Sequence, residues 1–116
     1  MTESSFERLA IWQRGIEVTR NVYRFTKKLP SSENFGLISQ MRRAAISIPS
    51  NIAEGRQRST KKDFAQFLRI ALGSAAELET QIILSEQLYP GPDASVLRTS
   101  VQELQRMIAS FIKKLG

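Results

Sequence analysis

One stretch, Gly36 to Gly55 (GLISQMRRAAISIPSNIAEG), decides more about this chain than any other. Met41, Ala45, Ile48, Ile52 and Gly55 recur at alternating four- and three-residue steps, so a helix through the stretch places them on one side, flanked by Ala44 and Ala53. Much of that side is small, which lets a neighbouring helix come close. It also carries Ser47 and Asn51, with Gln40 and Glu54 nearby. Once buried these need hydrogen-bond partners, because an unsatisfied amide costs on the order of 1–3 kcal/mol. Pro49 stands inside the run, lacks a backbone donor, and predicts a kink or a break after Ile48. The stretch reads first as a tightly packed core helix with a bend. A second reading has the bend displaying Arg42, Arg43, Arg56 and Arg58 to a ligand.

Three further helical rows surround it. The first helix is expected over about residues 7–28, after a frayed lead, Met1 to Ser5. It carries two apolar rows: Ile11, Gly15, Val18, Val22, Phe25 and Leu29, and beside them Leu9, Trp12, Ile16, Thr19, Tyr23 and Thr26. Together they span an arc of about 200°, roughly twice what a bundle helix needs, so a second subunit is the simplest cover for the surplus. Leu29-Pro30 ends this helix, and Ser31 or Ser32 is placed to cap the second, over about 33–56. Ser59 or Thr60 can cap the third, 61–88, where Phe64, Leu68, Ala71, Ala75, Leu78, Ile82, Ser85 and Tyr89 keep a heptad spacing. Within it Gly73 suggests a close backbone approach, and Glu77 an internal ion pair with Arg43 or Arg42. Tyr89-Pro-Gly-Pro-Asp93 is a break, after which Asp93 can cap a fourth helix, about 94–115, with Leu97, Val101, Leu104, Ile108, Phe111 and Leu115 in one row. Four helices of this length with short connectors predict a single all-α domain over 1–116, an antiparallel up-down-up-down four-helix bundle.

Composition removes whole classes of chemistry. Cysteine and histidine are both absent, so the sequence offers no disulfide, zinc finger, thiol nucleophile or histidine base. Glu77 and Glu79 are two apart and do not face each other, so they are poor candidates for a carboxylate pair. Ser59 with Lys62 is the best nucleophile–base spacing available, and helix capping explains Ser59 better. The expectation is a protein that is not an enzyme, with no cofactor and no metal. The start MTESS lacks a signal-peptide pattern and no apolar run reaches a bilayer's width, so the location expected is the cytoplasm, without membrane association.

Charge points the other way, toward a partner. There are 17 basic and 11 acidic residues, a net charge of +6, which favours polyanions. Arg14, Arg20, Arg24, Lys27 and Lys28 lie on the polar face of the first helix against Glu17 alone. The densest cluster, Arg56, Arg58, Lys61 and Lys62, joins the second and third helices and contains no acid. A helix N-terminus adds positive potential there. Such surfaces suit backbone phosphates better than base edges. With Arg42 and Arg43 these are the candidate nucleic-acid-binding residues; a solvated face or a charged connector would show the same composition.

The run SQMRRAAISIPSNIAEG resembles the signature of the four-helix-bundle family encoded in intervening sequences of bacterial 23S rRNA genes. LAIWQ at Leu9–Gln13, FLRIALGS at Phe67–Ser74, and Glu77 match it in order, so the resemblance covers Phe6 to about Tyr89. The same fold family includes the accessory protein of diversity-generating retroelements, which works with a reverse transcriptase. The resemblance implies a homopentameric ring that binds nucleic acid, RNA before DNA, and no established enzyme activity. An accessory factor of a reverse transcriptase is the alternative it implies.

Overall fold

The computed structural model describes residues 2–116; Met1, the first residue of the expected lead, lies outside them. Four α-helices follow one another: α1 (Ala10–Thr26), α2 (Leu37–Arg56), α3 (Lys61–Leu88) and α4 (Ser95–Leu115). There is no strand among the described residues. α1 packs on α2 and α4, and α3 packs on the same two, so four helices enclose one core.

Three helix starts differ from expectation, each for a local reason. Residues Ser5–Arg8 form a 3₁₀ turn rather than frayed lead and first helical turn. The Glu7 carboxylate accepts from the Ser4 N–H at 2.6 Å, and extended Leu9 separates the turn from α1. That break lets the Phe6 ring pack against Trp12, centroids 5.4 Å apart and planes tilted by 53°. The second helix begins at Leu37, not near residue 33, because Ser31–Glu33 coil into another 3₁₀ turn. Its cap is the Glu33 carboxylate, which accepts from the Leu37 N–H at 3.1 Å; neither Ser31 nor Ser32 does so. α4 begins at Ser95, whose N–H is held by Asp93 Oδ1 at 2.9 Å. α3 keeps its expected bounds, with Thr60 Oγ1 accepting from the Asp63 N–H at 3.1 Å. α1 ends two residues early, at Thr26, where the Lys28 and Leu29 N–H groups turn back to the Phe25 and Thr26 carbonyls.

The core is the set of rows expected from spacing. Ile11, Val18, Val22 and Phe25 of α1, Met41, Ala45, Ile48 and Ile52 of α2, Leu68, Leu78 and Ile82 of α3, and Val101, Leu104 and Ile108 of α4 are all buried. Each large aliphatic removed from water contributes about 1.5–3 kcal/mol. α2 runs through Pro49 without a break. The ring has room because Gly15 lies opposite: a Cβ there would stand 3.3 Å from Pro49 Cβ. At Gly55 a Cβ would fall 2.7 Å from Phe67 Cβ and 2.9 Å from Phe64 Cδ1, so α3 packs tightly on α2 at this point. Gly73 is different from its expectation. Nothing lies within 4 Å of where its Cβ would be, because it faces solvent.

The polar residues of the small face pair with each other. Ser47 Oγ and Ser74 Oγ are 2.8 Å apart across the α2–α3 seam, and the Asn51 amide donates to the Ser47 carbonyl at 2.8 Å and to Ser47 Oγ at 3.0 Å. The second apolar row of α1 lies along α2, which leaves Trp12, Ile16 and Thr19 half-buried and Tyr23 partly exposed.

Candidate nucleic-acid interface

The α2–α3 junction turns tightly. α2 closes with Gln57 and Arg58 N–H groups bonded back to Glu54 and Gly55, and Thr60 opens α3 three residues later. The turn holds Arg56, Arg58, Lys61 and Lys62 at one end of the molecule, all exposed. They are not equivalent. Arg58 Nη2 donates to Glu54 Oε2 at 2.8 Å, and its guanidinium lies 4.6 Å over the Phe67 ring, so both contacts hold it in place. Arg56, Lys61 and Lys62 make no ion pair among the described residues. Lys61 and Lys62 also open the first turn of α3, whose N-terminal end favours an anion, with the Asp63 N–H capped by Thr60 and the Asp63 carboxylate in the same turn.

Packing enlarges this end. Lys61 and Lys62 share a shallow groove of about 290 Å³ with Ala65 and Arg69 of α3 and with Ile112, Leu115 and Gly116 of α4. The last turn of α4, which carries Lys113 and Lys114, therefore lies at the same end of the molecule, but neither lysine lines this groove, and Lys114 lines another with Ala10, Ile11 and Arg106. Arg69 and Lys113 and Lys114 were not among the expected phosphate-binding residues. Arg69 could have been found, since Lys61, Ala65 and Arg69 are spaced four apart along one helical face. The two α4 lysines could not, because only tertiary packing places them there.

The remaining candidates lie elsewhere. On α1, Arg20 and Arg24 line a groove of about 390 Å³ with Gln13, Glu17 and Asn21, and Arg24 Nη1 donates to Asn21 Oδ1 at 3.0 Å. Arg14 is drawn to Glu103 of α4 at 3.3 Å. Lys27 and Lys28 close the other end of the molecule, where the Lys28 charge helps hold the Asp93 carboxyl below its usual range, after the larger effect of hydrogen bonds from Ser95. Arg42 is occupied inside: its Nε donates to Thr26 Oγ1 at 3.0 Å and its guanidinium lies 4.3 Å over the Tyr23 ring. Arg43 is exposed beside a polar groove with Gln40, Ser47 and Glu77. Glu77 makes no ion pair among the described residues: Arg42 is taken, and Arg43 stays in solvent.

The acidic groups serve joints between elements. Glu79 of α3 accepts from the amides of Gln105 and Gln102 of α4, each at 2.9 Å, and these bonds lower its pKa, with a smaller contribution from Arg98. Glu33 is also lowered, first by the Tyr89 hydroxyl and then by the Leu37 N–H. No helix of the described residues is long and apolar enough to cross a membrane.

A family model described as 23S rRNA-intervening sequence protein matches residues 7–110 of the chain. The crystal structure of a protein of unknown function from the S23 ribosomal protein family of Bacteroides thetaiotaomicron VPI-5482 is similar in fold: TM-score 0.79 and 24% identity, covering 90% of this chain and 99% of that one. No curated protein matches the chain.

Proposed function

The chain belongs to the 23S rRNA-intervening sequence protein family, and from that premise we propose that it is a nucleic-acid-binding protein rather than an enzyme, engaging RNA before DNA through phosphate contacts. The observation that carries this reading is the basic end of the molecule. Lys61, Lys62 and Arg69 line one groove against the last turn of α4, with Arg56 and Arg58 on the adjoining α2–α3 turn. Flexible cations beside a helix N-terminus suit a phosphodiester, which asks for charge and donors and no fixed base geometry. The net charge of +6 extends the attraction beyond contact distance.

In this reading the bundle is antiparallel, up-down-up-down, which agrees with helix neighbours that follow chain order and close with α1 on α4. It self-associates in the cytoplasm, as a ring of five if it follows the resemblance. A ring repeats one modest basic patch and raises avidity without reading sequence.

Fluorescence anisotropy with a labelled RNA and a duplex DNA of the same sequence tests the reading. Affinity that falls steeply with salt, with a slope counting the phosphates engaged, is the expected result. Absence of binding to either at low salt overturns it.

A further inference from the structure

The seam between α2 and α3 is polar along one edge, and the polar groups are paired over only part of it. At Ser47 they satisfy each other: its hydroxyl lies 2.8 Å from Ser74 Oγ and accepts from the Asn51 amide at 3.0 Å. One turn further along they do not. Arg43, one turn before Ser47, and Glu77, one turn after Ser74, line one groove of about 310 Å³ with Gln40, Ala44 and Ser47. Both are exposed, and neither makes an ion pair among the described residues, so guanidinium and carboxylate stand apart within the groove. Gln81, one turn beyond Glu77 on α3, has its Oε1 buried without a hydrogen-bond partner. This part of the seam therefore holds more polar groups than the fold pairs, where buried polar atoms ordinarily find partners.

The two charges call for opposite edges of a ligand. An ionised Glu77 only accepts hydrogen bonds, and Arg43 only donates them, through a planar fork. A flat ligand that answers both carries two adjacent donors on one edge and two adjacent acceptors on the next. Among the nucleobases guanine does so: its N1–H and N2 amine suit a carboxylate, and its O6 and N7 suit a guanidinium. Adenine and cytosine bring one amine to a carboxylate, and uracil one N–H. Adenine also sets its amine where guanine has O6, donor against the donors of Arg43. The groove is at the small end of the roughly 300–1,000 Å³ that ligand pockets span, which suits one base. That base must be unpaired, since N1–H and the N2 amine are taken up in a duplex, and unpaired bases are what proteins read in RNA.

We infer that this groove takes one unpaired guanine base of a single-stranded RNA, held between Glu77 on its N1–N2 edge and Arg43 on its O6–N7 edge. This rests on the nucleic-acid binding proposed above and adds one base-reading site to its phosphate contacts. The site is separate from the basic end: Arg43 lies about 20 Å along α2 from Arg56.

The test is anisotropy with a labelled uridine oligonucleotide that carries one central guanosine, beside the same strand with adenosine, inosine or 7-deazaguanosine in its place. The guanosine strand is expected to bind about tenfold more tightly than the adenosine strand. Inosine lacks the amine that faces Glu77, and 7-deazaguanosine the N7 that faces Arg43, so each is expected to fall between. Glu77→Gln is expected to weaken the guanosine strand and to erase its advantage over inosine. Electrostatics alone gives the reverse, because losing an acid raises affinity for RNA. Arg43→Gln is expected to erase the advantage over 7-deazaguanosine. Both positions are exposed, and far-UV circular dichroism checks that both variants keep their helices. Free guanosine monophosphate is expected to compete only weakly; if it binds as tightly as the strand, the base comes from a free nucleotide and the RNA source is overturned. Equal affinity for all four strands overturns this inference and leaves the phosphate reading standing. A guanosine preference that survives both substitutions overturns its placement in this groove. No binding of any strand at low salt overturns the phosphate reading and the inference together.

Discussion

Thr19 Oγ1 on α1 stands 3.1 Å from the carbonyl oxygen of Ala45 on α2, the carbonyl that Pro49 leaves without a helical donor. The same hydroxyl is 2.8 Å from its own helix's Gly15 carbonyl, so its proton is shared between the two. A proline inside a helix therefore costs less here than in isolation: α1 supplies a donor through Thr19 and space through Gly15. Thr19→Val keeps the shape and removes the donor, and is expected to lose about 1–3 kcal/mol of stability. Thr19→Ser is expected to retain most of it. Urea denaturation of the two variants beside the wild type decides.

Among the helical glycines, Gly55 and Gly73 are expected to respond in opposite directions to alanine. At Gly55 the new methyl would meet Phe67 and Phe64 at under 3.0 Å, with the backbone of Phe64 behind. Overpacking of this kind costs typically about 1–3 kcal/mol. Gly73 has open space, so Gly73→Ala is expected to stabilise the protein by up to about 1 kcal/mol through helix propensity and a less flexible unfolded chain. Thermal melts of the pair would show one midpoint falling and the other rising.

Acid is expected to loosen the joints at both sides of α3. Glu33, Glu79 and Asp93 all have folded-state pKa values below their ordinary 4.5, 4.5 and 3.8. The folded chain then binds fewer protons in this range, so the stabilisation is fully present above the ordinary values and is lost as pH falls through the folded ones. Tyr89, raised by its bond to Glu33, behaves oppositely: its contribution is present below 10.0 and lost as pH rises through the folded value. Tyr89→Phe removes the largest cause of the Glu33 shift. Its stability, followed from pH 7 downward, is expected to fall less steeply than that of the wild type; an identical slope would exclude the Glu33–Tyr89 bond as a contributor.

Neutralising the basic end separates contact from support. Lys61→Gln with Lys62→Gln is expected to weaken RNA binding uniformly across sequences and to reduce the salt slope by about 2, one for each phosphate that the variant no longer engages. Arg42→Gln is expected to leave that slope unchanged and to lower the melting temperature, because its guanidinium serves Thr26 and Tyr23. Anisotropy against salt, with a melt of each variant, distinguishes the two kinds of cation.

Much of the fold is legible in single rows of residues. Ile11 to Leu29, Met41 to Gly55, Phe64 to Ser85 and Leu97 to Ile108 are each readable as one buried side, because helical periodicity is a local property. Helix starts are less so. Glu33 rather than a serine caps α2, since a 3₁₀ turn carries its carboxylate back to Leu37. At the candidate site, the junction cluster can be read from adjacent positions. The engagement of Arg14 by Glu103 and of Arg42 by Thr26 cannot, because those partners lie on other elements.

The sequence by itself determined four helices, their apolar sides and an excess of positive charge, all of which follow from spacing and composition along one strand of chain. Only the tertiary structure decided which cations stay free and which are spent on neighbours, and that Lys113 and Lys114 join Lys61 and Lys62 at one end. It also decided that α2 survives Pro49, because the donor and the space come from α1, far away along the chain, and only packing brings them together.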